Sequence, residues 1–520
     1  MIRQLSALTA GAAFLLVTVA VALPAQAQND ETVASGQLGK DLDRAVQRAS
    51  AGGFWGTVLV AKEGKPVLAK GYGNADYAQT PNGPRTLFEI ASASKQFTAA
   101  AVLKLESQGK LQTSDTIGKL LGDKVPDDKA KIRVEHLLHH TSGLSSEIGV
   151  AYAWSGSRDE YLPLILHDSL EAEPGSAWAY NNAGYAILAA VVEVASGKSF
   201  EDYVRDELFA PAGLEETGFI RDPGLVESPR ASLRLASDTR AADWNWGWGY
   251  RGMGGVVTSA LDLLRWDRAL RGDKVLGDDA KKKLYAAGKG DYGCGWFVTT
   301  TRRGTVKVFH GGAVAGYGCQ LSRYLDEDVT VIILTNDQND VSKIDDALGK
   351  VLFPPPHVEA VIDAAGYTLS EYRAFEVRRA TFEVAAEKEK LLISLRDEKT
   401  KKVFATVRYP RESARLLAGD VERAIAARRV DDPGRKAASD GGAFLGPYTL
   451  KEDKTLALDS DLELVVLPQY EGQDARGERV IDRRVTFVLQ DGKHGQWPLL
   501  FKLNVAAAQG LLDKVKDASK

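Results

Sequence analysis

The sequence predicts an α+β chain in two parts, and three observations carry that expectation. Strand-like runs come early, at residues 56–62 and 66–72, and late, at 292–299, 306–310 and 329–335, so the late strands would complete a sheet begun by the early pair. Apolar segments at helical spacing fill the stretch between them. Three consecutive prolines, Pro354-Pro355-Pro356, then interrupt the chain, and short alternating runs beyond them predict a β-rich second part. With 520 residues, 44% hydrophobic and 26% charged, the composition is ordinary for a globular protein and the chain is too long for one core.

Residues 1–27 are expected to be a secretory signal peptide: Arg3 gives a positive start, 7–23 are apolar, and Ala25-Gln26-Ala27 is a small-x-small cleavage site. The mature chain would begin near Gln28 and be exported, periplasmic or secreted. Retention of the segment as a membrane anchor is the alternative, and no later run approaches the ~18 apolar residues of a spanning helix. The expected division is a first domain at 28–353, a Pro-rich linker at 354–357 and a β-rich accessory domain at 358–520. A net charge of −4 and the lack of a long basic run interleaved with aromatics argue against nucleic acid as a partner.

Taken in order, residues 38–51 form a plausible amphipathic helix, and Glu63-Gly64-Lys65 turns the early strand pair. A loop through Pro81, Asn82, Gly83 and Pro84 delivers the chain to residues 88–105, where Phe97, Ala100, Ala101 and Leu105 recur at helical spacing and Gly109 offers a stop. Residues 111–128 suit short helical pieces, and 132–138 run into the turn-forming Thr141-Ser142-Gly143. Pro174-Gly175 makes a turn before Tyr180-Asn181-Asn182, followed by an apolar helix over 183–196 with Gly197 as its C-cap. Within residues 253–271, Ser259 and Asp262 form a capping box opening an amphipathic helix with Leu263, Leu264, Trp266 and Leu270. Past the prolines, 402–409, 462–467 and 485–489 read as strands, Asp491-Gly492 as a hairpin, and 420–429 and 504–516 as helices. His494 and Trp497 near that hairpin read as surface turn residues or ligand contacts.

Ser92 and Lys95 stand three positions apart at the head of an apolar helix, so a hydroxyl and an amine share one face within hydrogen-bonding reach. A serine hydroxyl is too weakly acidic to attack a carbonyl unaided, and a neighbouring amine or phenolate can take its proton. Tyr180 can exchange a proton, and Asn182 can orient a substrate amide or carbonyl. His310-Gly311-Gly312-Ala313 ends a strand, where glycine admits a ligand to the backbone and the N–H of Ala313 could help hold an oxyanion. Each motif also has an ordinary reading: an N-cap serine before a solvated lysine, a core tyrosine with an N-cap asparagine, a glycine turn. His136, His139 and His140 cluster, yet no glutamate follows His136 as a metalloprotease helix requires, so packing and a turn explain them better than a metal. Cys294 and Cys319 could pair in an exported protein or remain two buried thiols.

As an ordered set these motifs resemble a known family, the serine hydrolases that include class C β-lactamases, D-alanyl-D-alanine carboxypeptidases, D-aminopeptidases and esterases of β-lactamase fold. The resemblance rests on Ser92-Ala93-Ser94-Lys95, Tyr180-Asn181-Asn182 and His310-Gly311-Gly312, with His140-Thr141-Ser142-Gly143-Leu144, Gly254-Gly255 before Thr258-Ser259, and Leu334-Thr335-Asn336 in support; it covers residues 40–350. It implies a β-lactamase/penicillin-binding-protein-like antiparallel sheet flanked by helices, with a helical lobe and a cleft between. It further implies acyl transfer: Ser92 as nucleophile, Lys95 and Tyr180 sharing the proton work, Asn182, His310 and Gly312 binding substrate, and the backbone N–H groups of Ser92 and Ala313 stabilising the oxyanion. Many penicillin-interacting members carry lysine where this chain has His310, so neutral esters or amides are expected over carboxylate-bearing β-lactams or D-alanine peptides. The expected partner is a small ester, amide or D-amino-acid-containing peptide; nothing in the sequence calls for a metal or an organic cofactor. A binding or scaffold module that kept the fold is the alternative of another class.

Overall fold

The computed structural model describes residues 32–518, except 51–52, 146–155, 221, 227, 229–246, 315, 338–340, 355, 357, 364–375, 378–379, 398–400, 427, 430–454, 468, 474–478, 483 and 492–495. The signal segment and His494 therefore lie outside the described residues. Seven strands build the first sheet: β1 (Val33–Ala34), β2 (Gly56–Lys62), β3 (Lys65–Tyr72), β4 (Phe297–Thr300), β5 (Val306–Val314), β6 (Tyr317–Tyr324) and β7 (Val329–Thr335). Their spatial order is β1-β3-β2-β7-β6-β5-β4, and every neighbouring pair is antiparallel. The early hairpin and the late strands thus meet where β2 pairs with β7, from Gly56↔Thr335 to Lys62↔Val329.

The continuous apolar runs of β2 and β7 follow from burial on both faces. Successive strand residues point to opposite sides. Val58, Val60, Val331 and Ile333 join Leu42 and Val46 of α1 (Gly36–Ala49) and, from the helix after β7 (Val341–Leu352), Ile344 and Leu348. Leu59, Ala61, Ile332 and Leu334 join the larger core on the other face. That core takes in α2 (Lys95–Ser107), α3 (Asn182–Ser196) and α4 (Ala260–Arg271). In α3 every residue from Ala183 to Val192 is buried, as expected for a helix that is apolar all round.

Beyond Pro356 an eight-stranded sheet begins at Val358–Asp363, which lies between Thr455–Leu467 and Val403–Pro410. With Ala414–Ala426 and Val505–Ala518 it has its own core, including Leu391, Ile393, Leu395, Val407, Val421, Phe487, Leu511 and Leu512. An ion pair from Arg302, in the β4–β5 turn, to Asp420 ties this region to the first sheet.

Several local expectations are corrected. The helix of 88–105 begins only at Lys95: Phe88–Glu89 is a short strand, and Ala91–Ser94 is a 3₁₀ turn. Tyr292 pairs with Phe297 only as an isolated bridge, the chain bends over 294–296 with Gly295 at φ +75°, and the strand starts at Phe297. His310-Gly311-Gly312-Ala313 does not end its strand; pairing with β6 carries β5 through to Val314. The helix expected at 420–429 lies at Ala414–Ala426, with Arg428–Arg429 in a short strand, and Trp497 falls within the strand Gln496–Asn504. Cys294 and Cys319 are buried free thiols.

Candidate active site

The mount of Ser92 is built from its flanks. Glu89 is buried, and its Oε1 accepts the N–H of Ala91 (3.0 Å), the N–H of Gly255 (3.0 Å) and the hydroxyl of Tyr250 (3.0 Å). Drawing the amide of Ala91 toward Glu89 keeps the chain out of the helix, and Ala91 is held at φ +45°, a strained position immediately before the serine. Ser94 Oγ accepts the N–H of Val256 (3.2 Å), and Thr98 donates to the carbonyl of Gly252 (2.7 Å). The loop at 252–256 is thereby fastened to both sides of Lys95.

Lys95 is wholly buried, and its Nζ lies 3.0 Å from Ser92 Oγ, 2.8 Å from Asn182 Oδ1 and 3.1 Å from the carbonyl oxygen of Met253. None of these three partners is a carboxylate, so burial dominates and holds the amine well below its ordinary value. A neutral amine has two hydrogens and one lone pair. The carbonyl oxygens of Asn182 and Met253 can only accept, so they take the hydrogens and leave the lone pair for the hydroxyl proton of Ser92. The Tyr180 ring centroid is 4.9 Å from Nζ. The structure thus brings Ser92, Lys95, Tyr180 and Asn182 together. Asn181, not Asn182, caps α3, by accepting the N–H of Gly184.

The face of β5 at Gly312 lies against the serine turn. A Cβ there would stand 2.2 Å from the Ile90 carbonyl oxygen and 3.0 Å from the Ser92 nitrogen, so only glycine lets the strand come this close. Ala313 is exposed, one residue on. His310 is buried instead. Its Nδ1 must donate to the carbonyl oxygen of Gly311 (2.6 Å), which leaves Nε2 to accept the hydroxyl of Tyr292 (3.0 Å). Burial, with Lys95 nearby, pushes this imidazole down to about 3.

A division of labour follows from exposure. Ser92, Tyr180, Asn182, Gly311 and Gly312 are partly exposed and Ala313 is exposed, while Lys95, His140, Tyr292 and His310 are buried behind them. Sequence reasoning missed Glu89, Tyr292 and the Met253 carbonyl, because nothing in their local pattern marks them. The three clustered histidines do not converge: His136 Nδ1 accepts the N–H of Arg133, His139 Nδ1 meets the Tyr292 carbonyl oxygen, and His140 Nδ1 accepts the N–H of Asn181. Among the described residues no group of three or more His, Cys, Asp or Glu could hold a metal.

Residues 42–352 match the Beta-lactamase family. Penicillin-binding protein 4* of Bacillus subtilis (strain 168) is 30% identical over 346 residues, covering 58% of this chain and 73% of that protein. The D-aminopeptidase of Brucella anthropi is 28% identical over 311 residues, covering 56% of this chain and 57% of that enzyme. The crystal structure of a penicillin-binding protein from Bacillus halodurans superposes with a TM-score of 0.51 at 26% identity, covering 60% of this chain and all of that one. With the sheet, the Ser-x-x-Lys turn and this match over most of the first 352 residues in hand, the chain belongs to the beta-lactamase family and is a serine hydrolase of that fold.

Proposed function

We propose that this protein is an exported hydrolase of neutral esters or amides that works through an acyl-enzyme on Ser92. The observation that carries this reading is the Lys95 amine, buried, 3.0 Å from Ser92 Oγ, with two carbonyl oxygens occupying its hydrogens. The lone pair of Lys95 takes the Ser92 proton as Oγ bonds to the substrate carbonyl carbon. The backbone N–H groups of Ser92 and Ala313 hold the resulting oxyanion. Tyr180 passes a proton to the leaving oxygen or nitrogen, and the carbonyl re-forms as a Ser92 ester. Water then adds with the same groups taking its proton, and Ser92 Oγ leaves reprotonated.

Neutral His310 supports the preference for uncharged substrates, since a buried imidazole turned toward Tyr292 offers no cation to a carboxylate. His310→Lys is expected to raise kcat/KM for carboxylate-bearing substrates at least about tenfold relative to neutral ones, as an added charge-assisted contact would. No relative gain would show the charge argument to be wrong. A second reading, cleavage of D-amino-acid amides or peptides, draws on the similarity to a D-aminopeptidase.

Intact-mass measurement of the mature protein with an aryl ester, a penicillin and D-alanine amide in parallel, with Ser92→Ala as control, decides among these. The expected result is a Ser92-dependent acyl adduct or product with the ester. Turnover of the D-alanine amide alone would favour the second reading, and a lasting penicillin adduct a peptidoglycan peptidase. Silence with all three would point to a binding module. The same spectrum reports cleavage of the leader, through a mass that begins at Gln28, and recovery of that form outside the cytoplasm tests export.

A further inference from the structure

The segment 140–144 is zipped onto 171–181: the N–H of Glu171 reaches the Gly143 carbonyl (2.8 Å), that of Gly175 the Thr141 carbonyl (2.7 Å), and that of Ala179 the His140 carbonyl (2.9 Å). At Tyr180 the pattern changes from backbone to side chain. The next amide, that of Asn181, donates to the His140 ring at Nδ1 (3.0 Å), so one residue holds the amides on both sides of Tyr180. The two rings also pack face to face at a tilt, with centroids 4.4 Å apart and planes at 40°. We infer that His140 is a positioning residue that fixes the Tyr180 ring against Lys95, by clamping the backbone before and after it and backing its face. This rests on the proposed role of Tyr180 and Lys95 in serving Ser92.

Two further features say that the ring is kept for Nδ1 and not to fill space. His140 Nε2 is buried without a hydrogen-bond partner among the described residues, a cost that an apolar side chain would not carry. His140 also sits at φ +54°, in the left-handed region where few side chains are at ease. An acceptor at Nδ1 must be unprotonated, and the surroundings keep the ring neutral: burial first, then Lys95, His310 and His139, hold it well below its ordinary value. The aromatic shell of Tyr180, Tyr185 and Tyr292 completes the box.

The test uses the full chain with an aryl ester and kcat taken per Ser92 site titrated in the burst. His140→Asn keeps an acceptor near Nδ1 and tolerates the left-handed backbone; His140→Gly tolerates the backbone but has no acceptor; His140→Gln carries its amide one methylene too far. His140→Gly and His140→Gln are expected to lose kcat by about 100-fold with KM little changed, as for a misplacement of about 1 Å, and His140→Asn to recover at least about tenfold of that. In a Tyr180→Phe background the loss on His140→Gly should shrink below about threefold, because the clamp then has nothing to position. Equal kcat for the Asn and Gln variants, or an undiminished loss in the Tyr180→Phe background, would overturn the inference; if His140→Gly does not fold, the Asn and Gln pair still decides. Persistence of the parent's burst in Ser92→Ala would instead sink the acyl-enzyme reading on which it rests.

Discussion

Lys95→Met is expected to lower the acylation rate of Ser92 by a factor on the order of 10³ or more, the range for loss of a positioned general base. Methionine fits the buried volume but has no lone pair placed for the Ser92 proton. Lys95→Arg separates the base from the charge. A guanidinium stays protonated, so it supplies a cation and donors without accepting a proton, and it should be as inactive as the methionine variant. Substantial acylation by Lys95→Arg would mean that Lys95 acts as a cation and that the proton goes elsewhere.

The pH profile carries the same sign. Burial holds Lys95 well below its ordinary value, so the amine is neutral over a range in which a solvated lysine is charged. Acylation should therefore persist toward alkaline pH and fall as pH drops through the depressed value; a rate that rises toward acid would contradict the assignment. The same burial costs stability. Below the ordinary lysine value of ~10.4 the unfolded chain takes a proton that the folded amine refuses, and the cost grows as pH falls toward the folded value. Thermal unfolding across that range, compared between the parent and Lys95→Met, reads it directly.

Gly312→Ala should be the second most damaging change. Its Cβ meets the Ile90 backbone oxygen at 2.2 Å, the Ser92 backbone nitrogen at 3.0 Å and Cys319 Sγ at 3.0 Å, so the strand or the serine turn must move. A shift of about 1 Å at this point costs about 100-fold in kcat/KM, with about 1–3 kcal/mol of overpacking. Gly311→Ala is the internal control. There the nearest atoms are the end of the Gln320 side chain at 3.0 Å and the Cys319 carbonyl oxygen at 3.4 Å, and the first of these can give way. Activity within about threefold of the parent is expected for Gly311→Ala; equal damage from both substitutions would show that strand β5 tolerates no added methyl and that the Ser92 turn is not the reason.

The proposed nucleophile and its amine were legible because their chemistry and their spacing travel together. Ser92 and Lys95 are one turn apart in any right-handed helical geometry, so the 3₁₀ turn found at Ala91–Ser94 did not separate them. Tyr180 and Asn182 were legible only as members of the ordered set of motifs, since a core tyrosine and an N-cap asparagine explain that segment taken alone, and the strands β2 and β7 were legible from apolar, β-branched runs that suit a doubly covered sheet. The extent of β5 was not. Two glycines argue for a strand end, and it is the ladder to β6, from Lys307↔Tyr324 to Val314↔Tyr317, that carries the strand through them.

The sequence by itself determined the α+β class, the order of the elements and the residue types that meet at the site, because local periodicity and short spacings encode these. Only the tertiary structure decided their electrical state and direction. Burial beside two carbonyl oxygens from residues 87 and 158 positions away holds the Lys95 amine well below its ordinary value, the state that the proposed base role needs. His310 is neutral because burial desolvates it, and its Nε2 faces the hydroxyl of Tyr292, 18 positions earlier, as an acceptor. Desolvation and the direction of a hydrogen bond depend on what the rest of the chain brings alongside, and no local pattern of residues contains that information.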